Sequence, residues 1–396
     1  MSKSTGKIIF HIDMNAFFCS VACNLDPTLR GKPFAIGREN SYRGVIATAS
    51  YEARAYGINS AMSLAEAYKR LPSLLVLSID YSHYQKYHEK FVSLISKYTK
   101  LISVGSIDEV YCDMTEISNE IHPLVLAKEI QARLLDELGL PSSIGIGPTL
   151  FLAKMASDMK KPLGVTVLRK RDVFEKLYPL SVKEIFGIGK KTYPRLFANG
   201  INTIGDFMRP ENKGLILGLV GERTYSYVID AVNGRTTNIV DPNKNSDNIS
   251  ISTSNTYDVF KTTLPEIIFE LRGMARGIHN KMLKDGYFTK TVAITLRDSD
   301  FNTINRQITL EDYTDSLYEI IEAASDLAEE YFIDGKSYRL IGIGVSNLKN
   351  KLDLPREYNL FNLPESISKE DNINSLMREM TEKFGDKALF WNKSKK

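Results

Sequence analysis

The chain has 396 residues, 43% of them apolar and 25% charged, an ordinary globular composition with room for two to four domains of about 100–150 residues. No run of about 18 apolar residues is present to span a membrane, no apolar signal segment opens the chain, and three cysteines exclude a disulfide framework, so a cytoplasmic location is expected. The net charge of +3 conceals a division: residues 166–244 carry 13 basic and 8 acidic side chains and residues 245–346 carry 10 and 16, which leaves the former as the electrostatic footprint for nucleic acid.

In chain order, KIIFHI (7–12) reads as a buried strand ending at Asp13. A helix over 15–23 follows, then the Asp26-Pro27 turn and a short strand, PFAIG. Cys19 and Cys23 lie four apart on that helix with no second Cys or His pair to complete a zinc site, and read as packing. VIATA (45–49) is strand-like and Ser50 begins a helix. SLAEAYKRL (63–71) begins another, with Ser63 as N-cap and Glu66 completing a capping box. LLVLSI (74–79) is a strand before a long amphipathic helix over 81–98. Strands at 101–104 and 109–114 flank the tight turn GSID, and a helix over 123–138 leads into the strand SIGIG (143–147). Strands returning to one sheet with helices between them predict a ferredoxin-like α+β core.

Residues 180–235 read as short helices broken at Gly, with GIGKK at 187–191, and Pro194 is expected to kink the helix after it. TNIVDPNKNSDN (237–248) is polar and reads as a linker. The order beyond is strand, helix, strand, strand, helix, strand over 249–345, a βαββαβ domain in its own right. Its strand 288–297 should turn Val292, Ile294 and Leu296 to the helices and Thr291, Ala293, Thr295 and Arg297 outward. Thr303, Asn305, Gln307 and Thr309 make a similar polar set one strand on, while Glu319, Glu322, Glu329 and Glu330 belong on the far helix. The polar tail from 347 has one amphipathic helix near 373–384.

Three acids suggest chemistry: Asp13 at a strand end, and Asp108 with Glu109 at a hairpin turn. Neighbours in a flat strand point to opposite faces, but a tight turn twists the backbone and lets both carboxylates converge. Spacing alone leaves two readings open, solvated turn acids or a cluster able to hold a pair of divalent ions.

HIDMNAFFCSV and SIDEVYCD resemble the two metal-binding motifs of the Y-family (translesion) DNA polymerases. RGVIATASYEARAYGINSAM, SIGIGPTLFLAKMASDMKKP and EIFGIGKKT resemble further blocks of that family, in family order, from about residue 7 to 346. The resemblance implies a multidomain right-hand polymerase of α+β class. Its palm would be residues 1–22 and 77–168, its fingers 23–76, its helix-hairpin-helix thumb 169–236, its linker 237–248 and its βαββαβ little finger 249–346. It further implies a template-directed, low-fidelity enzyme without proofreading, acting as a monomer on primer–template DNA and dNTP. Two subgroups stay open, one of which needs an accessory protein, as does a catalytically silent DNA- or clamp-binding relative. Another palm-fold nucleotidyl enzyme, such as a cyclase, is disfavoured because the hairpin and the βαββαβ domain have no role there.

By the same resemblance Asp13, Asp108 and Glu109 are the catalytic carboxylates, and with the Met14 carbonyl they hold two Mg2+. Of the tandem Phe17-Phe18, Phe18 is the steric gate against a 2′-OH. Tyr51, Arg54 and Lys161 hold the triphosphate, and Val45, Ala47 and Ala61 line the roof over the nascent base pair. Gly187, Gly189, Lys190 and Lys191 meet a DNA phosphate without reading sequence, and Thr295, Arg297, Thr303 and Asn305 lie on the DNA-facing sheet. REYNLFNL (356–363) resembles a sliding-clamp peptide in which Leu360 and Phe361 are the anchors, with Glu357 where Gln is usual. Asn15 and Ala22 stand where the family often has Asp and Glu, and Leu150 where it often has Lys.

Overall fold

The computed structural model describes residues 6–39, 42, 44–244, 249–350 and 353–354. It divides into two compact units at Ser246/Asp247, inside the expected linker. The clamp-like peptide and the amphipathic stretch 373–384 lie outside the described residues.

The first unit runs β1 (Ile9–Met14), α1 (Phe17–Leu25), β2 (Phe34–Ile36), β3 (Thr48–Ala49), α2 (Tyr51–Ala55), α3 (Leu64–Arg70), β4 (Leu75–Leu77), α4 (Tyr81–Ile95), β5 (Ile102–Val104), β6 (Glu109–Asp113), α5 (Pro123–Leu138), β7 (Ser142–Gly147), α6 (Leu150–Asp158) and β8 (Val165–Val167). A five-stranded sheet has the order β5-β6-β1-β7-β8, and β3-β2-β4 form a small second sheet. The period of two along β1 divides the central strand between two faces. Phe10, Ile12 and Met14 join Val110, Cys112, Ile144 and Ile146 in a core shared with α1, α4 and α5. Cys19 and Cys112 are buried there as free thiols, in keeping with a packing role.

The opposite face of β1 carries Ile9, His11 and Asp13, in register with Gly147, Gly145 and Ser143 of β7. The two glycines decide how closely α6 lies on it. A Cβ at Gly145 would stand 2.0 Å from the Ala153 carbonyl oxygen and 2.3 Å from the Ser157 nitrogen, and one at Gly147 would stand 2.7 Å from the Ala153 nitrogen. Only bare backbone admits the helix at this depth. Leu150 packs with Ile9, Ala153 and Val240, so where a Lys is usual this chain makes an apolar contact within the unit.

Short helices complete the unit: α7 (Val173–Lys176), α8 (Tyr193–Phe197), α9 (Ile204–Met208), α10 (Lys213–Val220) and α11 (Glu222–Val232). They close over Leu152, Met155, Leu196, Phe207, Ile216 and Val232. Pro194 lies in the first turn of α8. It starts the helix instead of kinking it, because a first-turn N–H has no intrahelical acceptor to lose.

The small sheet corrects two local expectations. Of VIATA only Thr48–Ala49 is strand, and Val45 makes a lone bridge to Ser63 because the 59–63 turn takes the Ile46 backbone groups: Ile46 N–H donates to Met62 and Ile46 C=O accepts from Ala61. Ser63 caps α3 by accepting the Glu66 N–H. The Glu66 carboxylate accepts instead from Arg70 Nε at 3.0 Å, the pairing of neighbouring helical turns that an i,i+4 spacing provides.

The second unit is β9 (Ser250–Lys261), α12 (Leu264–Asp285), β10 (Tyr287–Asp298), β11 (Thr303–Thr314), α13 (Leu317–Tyr331) and β12 (Tyr338–Asn350), in antiparallel order β11-β10-β12-β9. Val292, Ile294 and Leu296 are buried against Leu271, Ala275, Ile320 and Ala324 of its helices, as alternation along β10 requires. Thr291, expected outward, is buried as well, its hydroxyl 3.5 Å from that of Thr309 across the strands.

Candidate active site

Asp13 and Glu109 are direct partners in the β1–β6 ladder, which sets their Cβ atoms about 5 Å apart on one face. Asp108 precedes β6 at the turn, where its carbonyl accepts the Met14 N–H at 2.9 Å. Its carboxylate accepts from Ser106 Oγ at 2.5 Å. Burial raises the Asp108 pKa, the Ser106 bond works against this, and the charges of Asp13 and Glu109 raise it further. The turn thus brings three mutually repelling carboxylates together. It does not stack all three on one point: Asp108 borders a cavity beside Asp13, while one ligand atom each from Asp13, Glu109 and His11 lie within 4.8 Å of one another. Asp13 stands between the two groupings.

Two lysines meet these acids. Lys154 Nζ, on α6, lies 2.7 Å from Glu109 Oε2 and 3.2 Å from Asp13 Oδ2. Lys161 Nζ lies 2.8 Å from Asp13 Oδ2 and 2.8 Å from Asp158 Oδ1. Burial alone would push the Glu109 carboxyl up, but His11 and Lys154 outweigh it and hold the pKa down to about 2. His11 is fully buried, and burial lowers its pKa. Its Nδ1 is 2.8 Å from Ser157 Oγ, and its Nε2 is 3.2 Å from Glu109 Oε2.

The cavity beside these acids, about 240 Å³, is walled by Asp13, Met14, Asn15, Phe17, Phe18, Ala47, Thr48, Tyr51, Arg54, Ser60, Asp108 and Lys161, with Ala16. Acids stand with Lys161, Arg54 and Tyr51 around one space. Ser50 caps α2 by accepting the Ala53 N–H, which orients its first turn. Arg54 lies over the Tyr51 ring at 4.6 Å and donates Nε to the Ala49 carbonyl, fixing the guanidinium. Phe17 is 3% exposed and belongs to the core. Phe18 stacks on Tyr84 at 4.0 Å and 16°, with Tyr81 edge-on at 6.1 Å. Of the three expected roof residues only Ala47 lines the cavity. Val45 is 56% exposed and Ala61 is also exposed, both carried outward by the 59–63 turn.

Gly187, Gly189, Lys190 and Lys191 are all exposed. Gly187 has φ +100 and Gly189 has open space around it; the Gly189 carbonyl accepts from the Thr192 N–H. In the second unit Thr295 donates to Asn305 Oδ1 at 2.7 Å and Arg297 Nε donates to Thr303 Oγ1 at 2.7 Å, so these four share one outer face of the sheet.

Several residues that complete the acidic site were not singled out by the sequence reading: His11, Lys154, Asp158 and the aromatic pair Tyr81 and Tyr84. Signals existed. His11 and Asp13 share a strand face at i,i+2, Lys154 and Asp158 share a helix face at i,i+4, and Tyr81 and Tyr84 do so at i,i+3.

Residues 12–158 match the family model described as the impB/mucB/samB family, and residues 248–355 match that of the impB/mucB/samB family C-terminal domain. The chain belongs to this family, the Y-family (translesion) DNA polymerases. Similar proteins include DNA polymerase IV of Oceanobacillus iheyensis, 36% identical over 392 residues, covering 98% of this chain and 92% of the relative. DNA polymerase IV 1 of Bacillus subtilis is 37% identical over 386 residues, covering 97% and 92%. Within the family the chain stands with the DNA polymerase IV group, and it is a DNA-directed DNA polymerase. Among solved structures, a Y-family chimera of Dbh and Dpo4 matches with a TM-score of 0.78 at 24% identity, over 87% of this chain and 99% of its own. The insertion ternary complex of Dbh DNA polymerase matches with a TM-score of 0.61 at 24% identity, over 87% and 99%. At that identity the likeness speaks for the fold. No helix among the described residues is long and apolar enough to cross a membrane.

Proposed function

We propose that the acid-lined cavity adds dNMP to a primer 3′ end by two-metal nucleotidyl transfer, without excising errors, and that Asp13, Asp108, Glu109 and the Met14 carbonyl hold two Mg2+. The donor set fits such ions. It consists of hard carboxylate oxygens, the class Mg2+ takes, crowded until Asp108 is held above its ordinary pKa by burial and by its acidic neighbours. When bound, the ions would stabilise charge on the attacking and leaving oxygens. The chain's own side chains do the rest. Arg54, fixed over Tyr51, offers its remaining guanidinium donors to a triphosphate, with Lys161 adding a second cation. The Phe18 ring, backed by Tyr84, occupies the place of a 2′-OH and rejects it by packing. Ala47 leaves room above the base pair. The single observation that carries this reading is that Asp13, paired in register with Glu109, shares one cavity wall with Asp108, Tyr51, Arg54 and Lys161.

In this reading residues 1–22 and 77–168 act as palm, 23–76 as fingers, 169–236 as thumb and 249–346 as little finger. Primer–template DNA meets the exposed 187–191 turn, and the Thr295, Arg297, Thr303 and Asn305 face supplies polar contacts. Leu360 and Phe361 are proposed as anchors for a sliding clamp. Primer extension with Mg2+ tests the centre: wild type extends, Asp108→Ala does not, and extension by Asp108→Ala at the wild-type rate would refute the assignment.

A further inference from the structure

We propose that Lys154 is an internal counter-cation that holds Asp13 and Glu109 together until a divalent ion takes those oxygens, and that Asp158 then receives its ammonium. This rests on the metal-site reading above and extends it to two residues that need touch neither substrate nor ion.

Lys154 is the side chain that α6 delivers deepest into the acidic site. It is 11% exposed, with Nζ 2.7 Å from Glu109 Oε2 and 3.2 Å from Asp13 Oδ2. Its position follows from Gly145 and Gly147, which let the α6 backbone rest on β7. Without a cation, two carboxylates paired across a strand would repel and splay; the ammonium between them keeps both aimed at one place. The same contacts make it a competitor. An ion shared by Asp13 and Glu109 would meet a like charge within a few ångström, an arrangement strongly unfavourable in a partly buried site. Lys154 must move, and a second acceptor is already in reach. Asp158, one helical turn on, has Oδ2 at 3.8 Å from Nζ, too far for a hydrogen bond and close enough for a small swing of a flexible side chain. Lys161 bonds the other oxygen, Oδ1, which leaves Oδ2 facing Lys154. Asp158 is 40% exposed and anchors no core, so its carboxylate is spared for this exchange.

Mn2+ binding to the full chain, followed by electron paramagnetic resonance of free Mn2+, separates this from a merely structural ion pair. Wild type should bind Mn2+ and Asp13→Asn should not; Mn2+ binding unaffected by Asp13→Asn removes the metal-site reading and the exchange with it. Given a site, Lys154→Met should bind Mn2+ about tenfold more tightly, since the competitor is gone, and Asp158→Asn about tenfold more weakly, since the displaced ammonium has no acceptor. In the Lys154→Met background the Asp158→Asn change should weaken Mn2+ binding by much less than in wild type, because only its bond to Lys161 is then lost. A folded Lys154→Met that binds Mn2+ no more tightly than wild type overturns the proposal. So does an Asp158→Asn that binds as wild type does, a measurement that decides the matter alone should Lys154→Met fail to fold.

Discussion

Replacing Phe17 and Phe18 by Ala, one at a time, should separate stability from sugar selection within one dipeptide. Phe17 is 3% exposed and sits in the core beside Tyr84. Its loss should cost about 3–5 kcal/mol, a fall in Tm of roughly 6–20 °C at about 2–4 °C per kcal/mol for a unit of this size. Phe18 is half-buried and its main partner is the Tyr84 ring, 4.0 Å away. Losing that stack costs about 0.5–1.5 kcal/mol, and with some apolar contact the total is about 1–2 kcal/mol, a fall of only a few degrees. The functional effect reverses. Phe18→Ala should relax discrimination against ribonucleotides by about a hundredfold, whereas Phe17→Ala should leave it unchanged in the folded fraction. The assay is single-nucleotide insertion, comparing kcat/KM for a dNTP and its rNTP, beside a thermal melt of each variant. Phe18→Tyr should keep the exclusion, because the ring remains. Unaltered ribonucleotide exclusion in Phe18→Ala, or relaxed exclusion in Phe17→Ala, would refute the division of roles.

Gly145→Ala should destabilise by at least the roughly 1–3 kcal/mol of an overpacked core and should lower primer extension, since its Cβ would meet the Ala153 carbonyl at 2.0 Å and lift α6 with Lys154; melting and extension measured together check this. Acid should weaken the fold in two stages, read as a falling urea midpoint. His11 is held below its ordinary 6.5 by burial, so the unfolded chain takes that proton first and stability drops as pH falls below about 6.5; this first decline should flatten in His11→Gln. Glu109 is held at about 2 against an ordinary 4.5, so its contribution is complete above pH 4.5 and is lost from there down toward pH 2. Changing Lys190 and Lys191 to Ala should weaken DNA binding alike on all sequences and reduce the slope of log K against log salt by about 1 per lysine. A loss confined to one template sequence would count against a phosphate contact.

What could be read in advance was local, or carried by short motifs. The βαββαβ order follows from alternation along each strand, while Thr263, Pro265 and Glu266, which together start α12, were cues left unused. The three acids were legible because they lie in two short motifs, Asp13 in one and Asp108 with Glu109 in the other. Lys154 was not. Within LFLAKMASD it reads as one polar residue on an apolar helix, and its meeting with Glu109 depends on a helix-to-sheet distance that only Gly145 and Gly147 set. Of the roof residues Ala47 lines the cavity, while Val45 and Ala61 are exposed beside a turn whose bonds to Ile46 no local pattern announced. At Glu66 two valid rules competed, and the carboxylate went to Arg70 instead of the cap.

Asn15 connects these levels. It stands where Asp is usual, buried to 2% exposure behind the cavity. Its Oδ1 accepts the Leu163 N–H at 2.8 Å, and its Nδ2 donates to Ser143 Oγ at 2.9 Å. A carboxylate here could also accept from the Leu163 N–H and the Ser143 hydroxyl, but it would add a fourth negative charge beside Asp13, Asp108 and Glu109, which the neutral amide avoids. The bond to Leu163 holds the segment just past Lys161 against β1 and β7, and Lys161 then reaches Asp13 at 2.8 Å. Asn15 therefore ties the segment that follows Lys161 to the end of the strand that bears Asp13.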